Sequence, residues 1–347
     1  MRLRAISVRF QKHAPRFLGA VFCAFSLLLG AACDKNDHTP DWVKPGNPPL
    51  PAAVAETAVA AKVGESVVKS AESEASNNLR FIAYNVENWL TEEPKADGKP
   101  GKTKQESQKK AVVQMLARHA PDVIGLCEIG TPADLAEIQE RLKAAGLMLP
   151  HSHYTGGADP IRHLGLLSRF PITATARATD TVFQLAGRTF AINRGILDAT
   201  IIADHQSYRF IGAHLKSRRD SEQGDQEAIR QCEARLLRRH VDTILKNDAD
   251  TRLVVYGDFN DTRATPTIRT IAGNYRDRGY LTAVPAKDSR HETWTHYWAL
   301  NDIYSRIDFI MVSQALRPEA DSSAAKIIDD AEWDEASDHR AVLAIFK

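Results

Sequence analysis

An α/β domain is predicted from about residue 79 to the end of the chain, on three observations. Short apolar runs alternate with amphipathic segments from Leu79 onward, the pattern of mixed strands and helices. Several of those runs end in acidic, amide or imidazole residues. The residues before Leu79 have a different composition, with no sustained apolar periodicity. With 43% hydrophobic and 26% charged residues in 347, the chain has ordinary globular composition, which argues against wholesale disorder.

Residues 1–32 read as a secretory signal, because Arg2, Arg4, Arg9, Lys12 and Arg16 precede an uncharged apolar stretch from Phe17 to Ala32. That stretch is shorter than the ~20 residues a membrane-spanning helix needs, which favours a cleaved signal and leaves an uncleaved anchor as the alternative. The run Leu28-Leu29-Gly30-Ala31-Ala32-Cys33 resembles a bacterial lipobox, with Cys33 as the residue lipidated after cleavage. Its leucine stands one place further from Cys33 than in the usual pattern, and Gly30 and Ala32 equally suit ordinary signal cleavage. A membrane-anchored lipoprotein of the bacterial envelope and a periplasmic or secreted protein are therefore both open.

Residues 33–78 hold Pro40, Pro45, Pro48, Pro49 and Pro51 and then an Ala/Glu/Ser-rich stretch, the composition of a tether. Residues 79–347 are expected to form a single folded domain. Residues 1–32 carry five basic residues and no acid, so without them the formal charge goes from +1 to −4. A globally basic nucleic-acid binder is not indicated. Cys127 and Cys232 are expected to be free and packed, one on a strand and one on a helix.

Within the domain the spacing predicts strands at Arg80–Asn85, Val123–Glu128, Gly165–Ser168, Gly195–Ala203, Tyr208–Leu215, Leu253–Tyr256, Ile307–Val312 and Ala341–Phe346. Gln105 to His119 places Val112, Met115, Leu116 and His119 on one helical face, and Pro121 stops it. Thr131-Pro132 offers an N-cap and a first-turn proline for a helix ending near Gly146. Glu222 to Asn247 is the longest helix, with Ile229, Cys232, Leu236 and Ile244 facing inward. Asp204–Ser207 and Ala186–Thr189 read as hairpin turns.

The polar residues at or near the strand ends are Asn85, Glu128, His214, Asp258, Asn260, Asp308, Asp338 and His339. Functional groups on a rigid scaffold are placed in this way. Singly each is a weak signal, since a carboxylate after a strand is more often a cap or a solvated loop residue. Together and in order, Tyr84-Asn85-Val86-Glu87-Asn88, Leu126-Cys127-Glu128, Gly165-Leu166-Leu167-Ser168-Arg169-Phe170-Pro171, His214-Leu215-Lys216-Ser217, Gly257-Asp258-Phe259-Asn260, Arg306-Ile307-Asp308-Phe309 and Ser337-Asp338-His339 resemble the endonuclease/exonuclease/phosphatase superfamily. That resemblance implies a DNase I-like four-layer sandwich, two mixed β-sheets packed face to face with helices outside, and a site at one edge.

It also implies roles. A phosphodiester is an anion that repels nucleophiles, so a hard cation is needed, and oxygen ligands suit Mg²⁺ or Mn²⁺. Glu128 is the expected principal ligand, with Asn85, Glu87 and Asp338 as further members of the metal shell. No paired Cys/His spacing of the zinc type is present in the sequence. His339 would act on the scissile phosphate with Asp308 fixing its tautomer, Asp258 would orient or deprotonate water, and Asn260 would donate to a phosphoryl oxygen. The resemblance leaves open which of Asp258 and His339 is the base. His214 would stabilise the pentacovalent state or assist the leaving oxygen. Lys216, Arg218 and Arg219 are candidates for gripping flanking phosphates, with a surface charge run as the commoner explanation.

The aromatic cluster Trp294, Tyr297 and Trp298 is expected mainly to pack, and His151, His153 and His163 to be dispersed on the surface. The lysine-rich segment Lys95 to Lys110 reads as a solvated loop or a phosphate-facing one. The expected partner is a phosphodiester substrate, first a nucleic acid, cleaved by a monomeric enzyme that a lipidated Cys33 could hold at a membrane. A phospholipid or inositol phosphate substrate is the second reading, and a catalytically inactive binding module the third.

Overall fold

The computed structural model describes residues 78–91, 103–219 and 224–347. The signal segment, nearly all of the tether with Cys33, and part of the lysine-rich segment lie outside the described residues. In chain order the first elements are β1 (Leu79–Trp89), α1 (Glu106–His119), β2 (Val123–Ile129), α2 (Pro132–Ala144), β3 (His151–Thr155), β4 (His163–Ser168) and β5 (Ile172–Thr175). Then come β6 (Val182–Leu185), β7 (Arg188–Ala191), β8 (Ile196–Ala203), β9 (Gln206–Ala213), α3 (Gln226–Asn247), β10 (Leu253–Asp258) and α4 (Pro266–Ala272). The last are β11 (Thr282–Ala283), β12 (His296–Trp298), β13 (Ile303–Ser305), β14 (Asp308–Val312), β15 (Lys326–Ile327), α5 (Trp333–Ala336) and β16 (Val342–Phe346).

Two six-stranded mixed sheets dominate, in the orders β15-β16-β1-β2-β4-β3 and β11-β14-β10-β9-β8-β5. β1 and β2 are parallel, as are β9 and β10, and the other pairings within the two sheets are antiparallel. The period-2 geometry of strands sends alternate residues to opposite faces. In β1, Phe81 and Ala83 enter the core between the sheets, while Ile82 and Tyr84 meet the layer of α1 and α2. In β10, Val254 and Tyr256 face the other sheet, while Leu253 and Val255 face α3. Both faces of each central strand are therefore buried, which is why these strands read as continuous apolar runs. The result is the four-layer α/β/β/α sandwich.

The helix signals act as read. Thr131 caps α2 through a reciprocal box with Asp134, Pro132 sits in the first turn, and Gln105 forms a box with Gln108 ahead of α1. α1 ends at Ala120 in a left-handed conformation just before Pro121. Asp225 caps α3, whose inward face includes Ile229, Cys232, Leu236 and Ile244. The helix starts at Gln226, where the Asp225 carboxylate takes the first free amides, and Glu222, the expected start, lies outside the described residues. Both hairpin turns are present, with Asp204 and His205 at positive φ between β8 and β9, and Ala186-Gly187 between β6 and β7. Cys127 and Cys232 are both buried. No described helix is long and apolar enough to cross a membrane.

Candidate active site

One edge of the sandwich collects the polar strand ends because of strand direction. β1, β2, β9 and β10 end there, while β14 and β16, antiparallel to their neighbours, begin there. Asp258 at the end of β10 is the register partner of Asp308 at the start of β14. His339 lies three residues before β16, and its backbone is tied down by Ser337, whose Oγ accepts the His339 N–H (3.0 Å) and donates to the Asn85 carbonyl (2.8 Å).

Two irregularities turn side chains into this edge. β1 shifts register between Asn85 and Trp89, where Glu87 and Asn88 have φ of 47° and 51°, and β2 shifts at Glu128, with φ of 65°. Asn260 has φ of 51°. Left-handed non-glycine residues each cost about 1–3 kcal/mol, and they persist where the surroundings over-determine them. Gly257 is required at its place: φ is 136°, and a Cβ there would lie 1.9 Å from the Ala213 carbonyl oxygen.

The side chains converge on Asn85. Its Nδ2 donates to Glu128 Oε1 (3.3 Å) and Asp258 Oδ2 (3.1 Å) and lies 3.4 Å from His339 Nε2, while its Oδ1 accepts the Glu87 N–H (3.1 Å). The second Glu128 oxygen accepts the Asn88 N–H at 3.0 Å and is 3.7 Å from Arg162 Nε. His339 Nδ1 is 2.9 Å from Asp308 Oδ2, and its Nε2 lies 3.7 Å from Asp258 Oδ2. The Asp308 N–H is held by Thr295 Oγ1 (3.1 Å). Asp258 Oδ1 accepts the Asn260 N–H (2.8 Å), and Asn260 Nδ2 donates to the Leu215 carbonyl (3.0 Å), leaving its second amide hydrogen for another acceptor. His214 Nε2 is 3.4 Å from Asp258 Oδ2, and its Nδ1 is buried without a partner.

Burial and charge set the protonation states. Burial pushes the Asp258 carboxyl up to about 7, Asp308 and Glu128 add to that, and His339 and the Asn260 N–H oppose it. Burial works against protonated His339, yet the carboxylates of Asp308, Asp258 and Asp338 outweigh it and hold the imidazole well above its ordinary range. His214 goes the other way, driven well down by burial and then by Arg194, His339 and Arg162. Burial would raise Asp338, but His296, His339 and Arg219 hold it down at about 2. Two imidazoles at one site thus have opposite tendencies, His339 toward the cation and His214 toward the neutral ring.

Several expected residues have further partners. The Lys216 N–H donates to the buried Glu233 (2.6 Å). Arg218 is engaged by Asp261 and by the Asn260 carbonyl (3.1 Å), so it braces the loop after β10. Trp294 packs under the Arg340 guanidinium, 3.4 Å from its ring centroid, and against Trp333 and Tyr304. His151, His153 and His163 belong to no three-ligand group among the described residues, although all three are half-buried and His163 Nδ1 contacts the Gly130 carbonyl (2.6 Å). Sequence reasoning missed Thr295 and His296, and it read Lys104 only as part of the lysine-rich segment. Buried Lys104 donates to the Glu87 carbonyl (3.2 Å), and burial lowers its amine to about 8 against the pull of Glu87, Asp338 and Glu128. His296 lies 3.8 Å from Asp338. Ser337 stood in a quoted motif and Lys104 in the lysine-rich segment, whereas Thr295 and His296 carried no local signal.

Among the described residues, the trios His296–Asp338–His339 and Asp258–Asp308–His339 bring potential ligand atoms within 4.8 Å of one another, and Glu128 adjoins the second through Asn85. Burial raises Asp258, and the charges of Asp308 and Glu128 add to it, so a cation would relieve the site. This oxygen-rich donor set fits a divalent ion.

Comparison with known proteins bears on the family and on the fold. The model of the Endonuclease/Exonuclease/phosphatase family matches residues 84–339. A TDP2 of D. rerio, humanized by mutation, superposes with TM-score 0.54 at 17% identity, covering 78% of this chain and 100% of that one. Sphingomyelinase C from Streptomyces griseocarneus gives 0.53 at 14%, covering 78% and 99%. The human Nocturnin catalytic domain gives 0.55 at 16%, covering 78% and 94%. At these identities the likeness is one of fold. No curated protein sequence matches this one.

Proposed function

The chain belongs to the endonuclease/exonuclease/phosphatase family, hydrolases of phosphate esters, and from that premise we propose that it is a divalent-metal-dependent phosphodiesterase whose substrate is a nucleic acid. The observation that carries the reading is the buried Asp258–His339–Asp308 arrangement beside Asn85 and Glu128. Glu128, with Glu87 and Asp338 as further oxygen donors, would hold the ion, which neutralises phosphoryl charge when bound. Asn85 orients Glu128 and Asp258 as their shared donor.

Asp308 fixes the His339 tautomer and favours its cation, so His339 Nε2 presents a charged donor toward the phosphoryl group. Asp258, at about 7, is poised to accept the proton of an attacking water near neutral pH. The free amide hydrogen of Asn260 and the neutral ring of His214 supply further donors for the equatorial oxygens. The test is nicking of plasmid DNA and cleavage of RNA in Mg²⁺ or Mn²⁺, against EDTA and against His339→Ala. EDTA-sensitive cleavage lost in His339→Ala supports the proposal, and cleavage unaffected by the substitution overturns it.

One observation favours a second reading, a phospholipid head group. The β12–β13 hairpin, whose His296 pairs with His339 across an isolated bridge, exposes Leu300 (86%), Ile303 (44%) and Tyr304 (54%) beside the site. Cleavage confined to sphingomyelin or other phospholipid vesicles would favour it. Export as a monomer, with or without an anchor at Cys33, completes the proposal.

A further inference from the structure

Arg194 sits where β8 is about to begin. The β8–β9 register pairs Ile196 with Ala213, so Gly195 falls opposite His214 and Arg194 opposite Leu215, at the edge that holds the active site. The side chain is about nine-tenths buried, and Nε and Nη1 have no hydrogen-bond partner, its ion pair with Asp159 Oδ2 at 3.3 Å notwithstanding. A buried guanidinium left in that state is costly, which points to a ligand that completes it.

The surroundings hold Arg194 in place without satisfying it. Glu233, fully buried on α3, gives its two oxygens to the N–H groups of Asn193 (2.9 Å) and Lys216 (2.6 Å), stapling the two site loops together. The loop before β4 docks on the same segment: Ala158 and Asp159 donate to the carbonyls of Ile192 and Asn193 (3.1 and 2.7 Å). The packing is tight enough that a Cβ on Gly157 would lie 2.4 Å from the Gly195 nitrogen. Arg162, by contrast, donates to Asn88 Oδ1, and Arg218 is held by Asp261. The Arg194 charge reaches across the site, since it depresses both His214 and Lys216.

We propose that Arg194 is a substrate-binding residue for a second phosphate, next to the scissile one, so that the preferred substrate carries more than one phosphate group. The proposal rests on the nucleic-acid reading and deepens it. A guanidinium suits phosphate because its planar fork of donors matches the oxygens in both charge and geometry. The second phosphate has two sources, a neighbouring internal diester or a terminal monoester.

The test measures kcat/KM of the full chain on a dinucleoside monophosphate, on the trinucleoside diphosphate, and on the dinucleotide with a terminal phosphate, in Mg²⁺ at low salt. The wild type is expected to prefer one of the two longer substrates at least tenfold, carried mainly in KM. Arg194→Gln should cut that preference to within about twofold, a roughly fivefold change that corresponds to about 1 kcal/mol, and Arg194→Lys should restore part of it. Unchanged melting would separate binding from misfolding. Gain from the internal diester alone marks cleavage within a strand, and gain from the terminal monoester alone marks action at an end. If the wild type cleaves all three and the preference is the same in Arg194→Gln, the Arg194 assignment is overturned and the nucleic-acid reading stands. Hydrolysis of bis(p-nitrophenyl) phosphate with no cleavage of any of the three overturns both.

Discussion

Asp308→Asn isolates what the Asp308–His339 contact contributes, because it removes a charge while keeping shape. Both residues are buried, and the contact is 2.9 Å from Asp308 Oδ2 to His339 Nδ1. Thr295 bonds the Asp308 backbone rather than its side chain, so the turn at the start of β14 should survive. A hydrogen bond to a charged group contributes about 1.5–3 kcal/mol. At about 1.36 kcal/mol per tenfold in rate, kcat/KM should fall roughly 10- to 150-fold. The pH profile gives a second reading with a fixed sign. Asp308 is the largest influence raising His339, so its neutralisation moves the His339 limb to lower pH. That direction holds whether the limb reports loss of an acid as pH rises or of a base as pH falls. Steady-state hydrolysis of bis(p-nitrophenyl) phosphate across pH 5–10 (roughly the accessible range for His and its neighbours) measures both. Wild-type rate with an unmoved profile would refute the coupling.

Other perturbations follow from the same contacts. Asp258→Ala should remove most turnover while leaving the thermal melt intact, and near-wild-type activity would remove Asp258 from the chemistry. Glu128→Gln should raise the Mg²⁺ concentration needed for half-maximal rate, and an unchanged metal titration would exclude Glu128 from the ion's shell. Asp288→Ala should destabilise by about 3–5 kcal/mol in urea unfolding, because Arg340, with no exposed side-chain surface, would keep its charge and lose its 2.8 Å partner. Burial favours neutral Asp198, but His240 and Arg209 outweigh it and depress its carboxyl. Its stabilisation is therefore present above the ordinary carboxylate range and lost as pH falls through the folded value, and Asp198→Asn should flatten that acid limb in pH-dependent melting.

The fold was legible where strands are largely buried, since β1, β2, β4, β8, β9, β10, β14 and β16 appear as predominantly apolar runs. It was not legible at the edges. β3 is the polar string His151–Thr155, β5 at the other edge is mostly exposed, and neither has an apolar signature. The seven-residue α4 is too short for a helical period, although Thr265-Pro266 marks its start. At the site, residue types and order placed Asn85, Glu128, Asp258, Asp308 and His339 at one edge, because strand direction carries sequence order into space. Which atom faces which was not legible: Asn85 turns its Nδ2 toward the carboxylates because its oxygen is taken by the Glu87 N–H, a consequence of the β1 bulge. Thr295, Lys104 and Arg194 reach the site through loops whose sequence carries no periodic signal.

The most direct test of the central claim is the rate of phosphodiester hydrolysis by the purified chain on bis(p-nitrophenyl) phosphate and plasmid DNA, in Mg²⁺ or Mn²⁺ and then in EDTA, beside His339→Ala at equal melting temperature. Turnover that disappears with EDTA and falls by orders of magnitude in His339→Ala is the predicted result. Turnover indifferent to both, or none in the wild type with either metal, would contradict it.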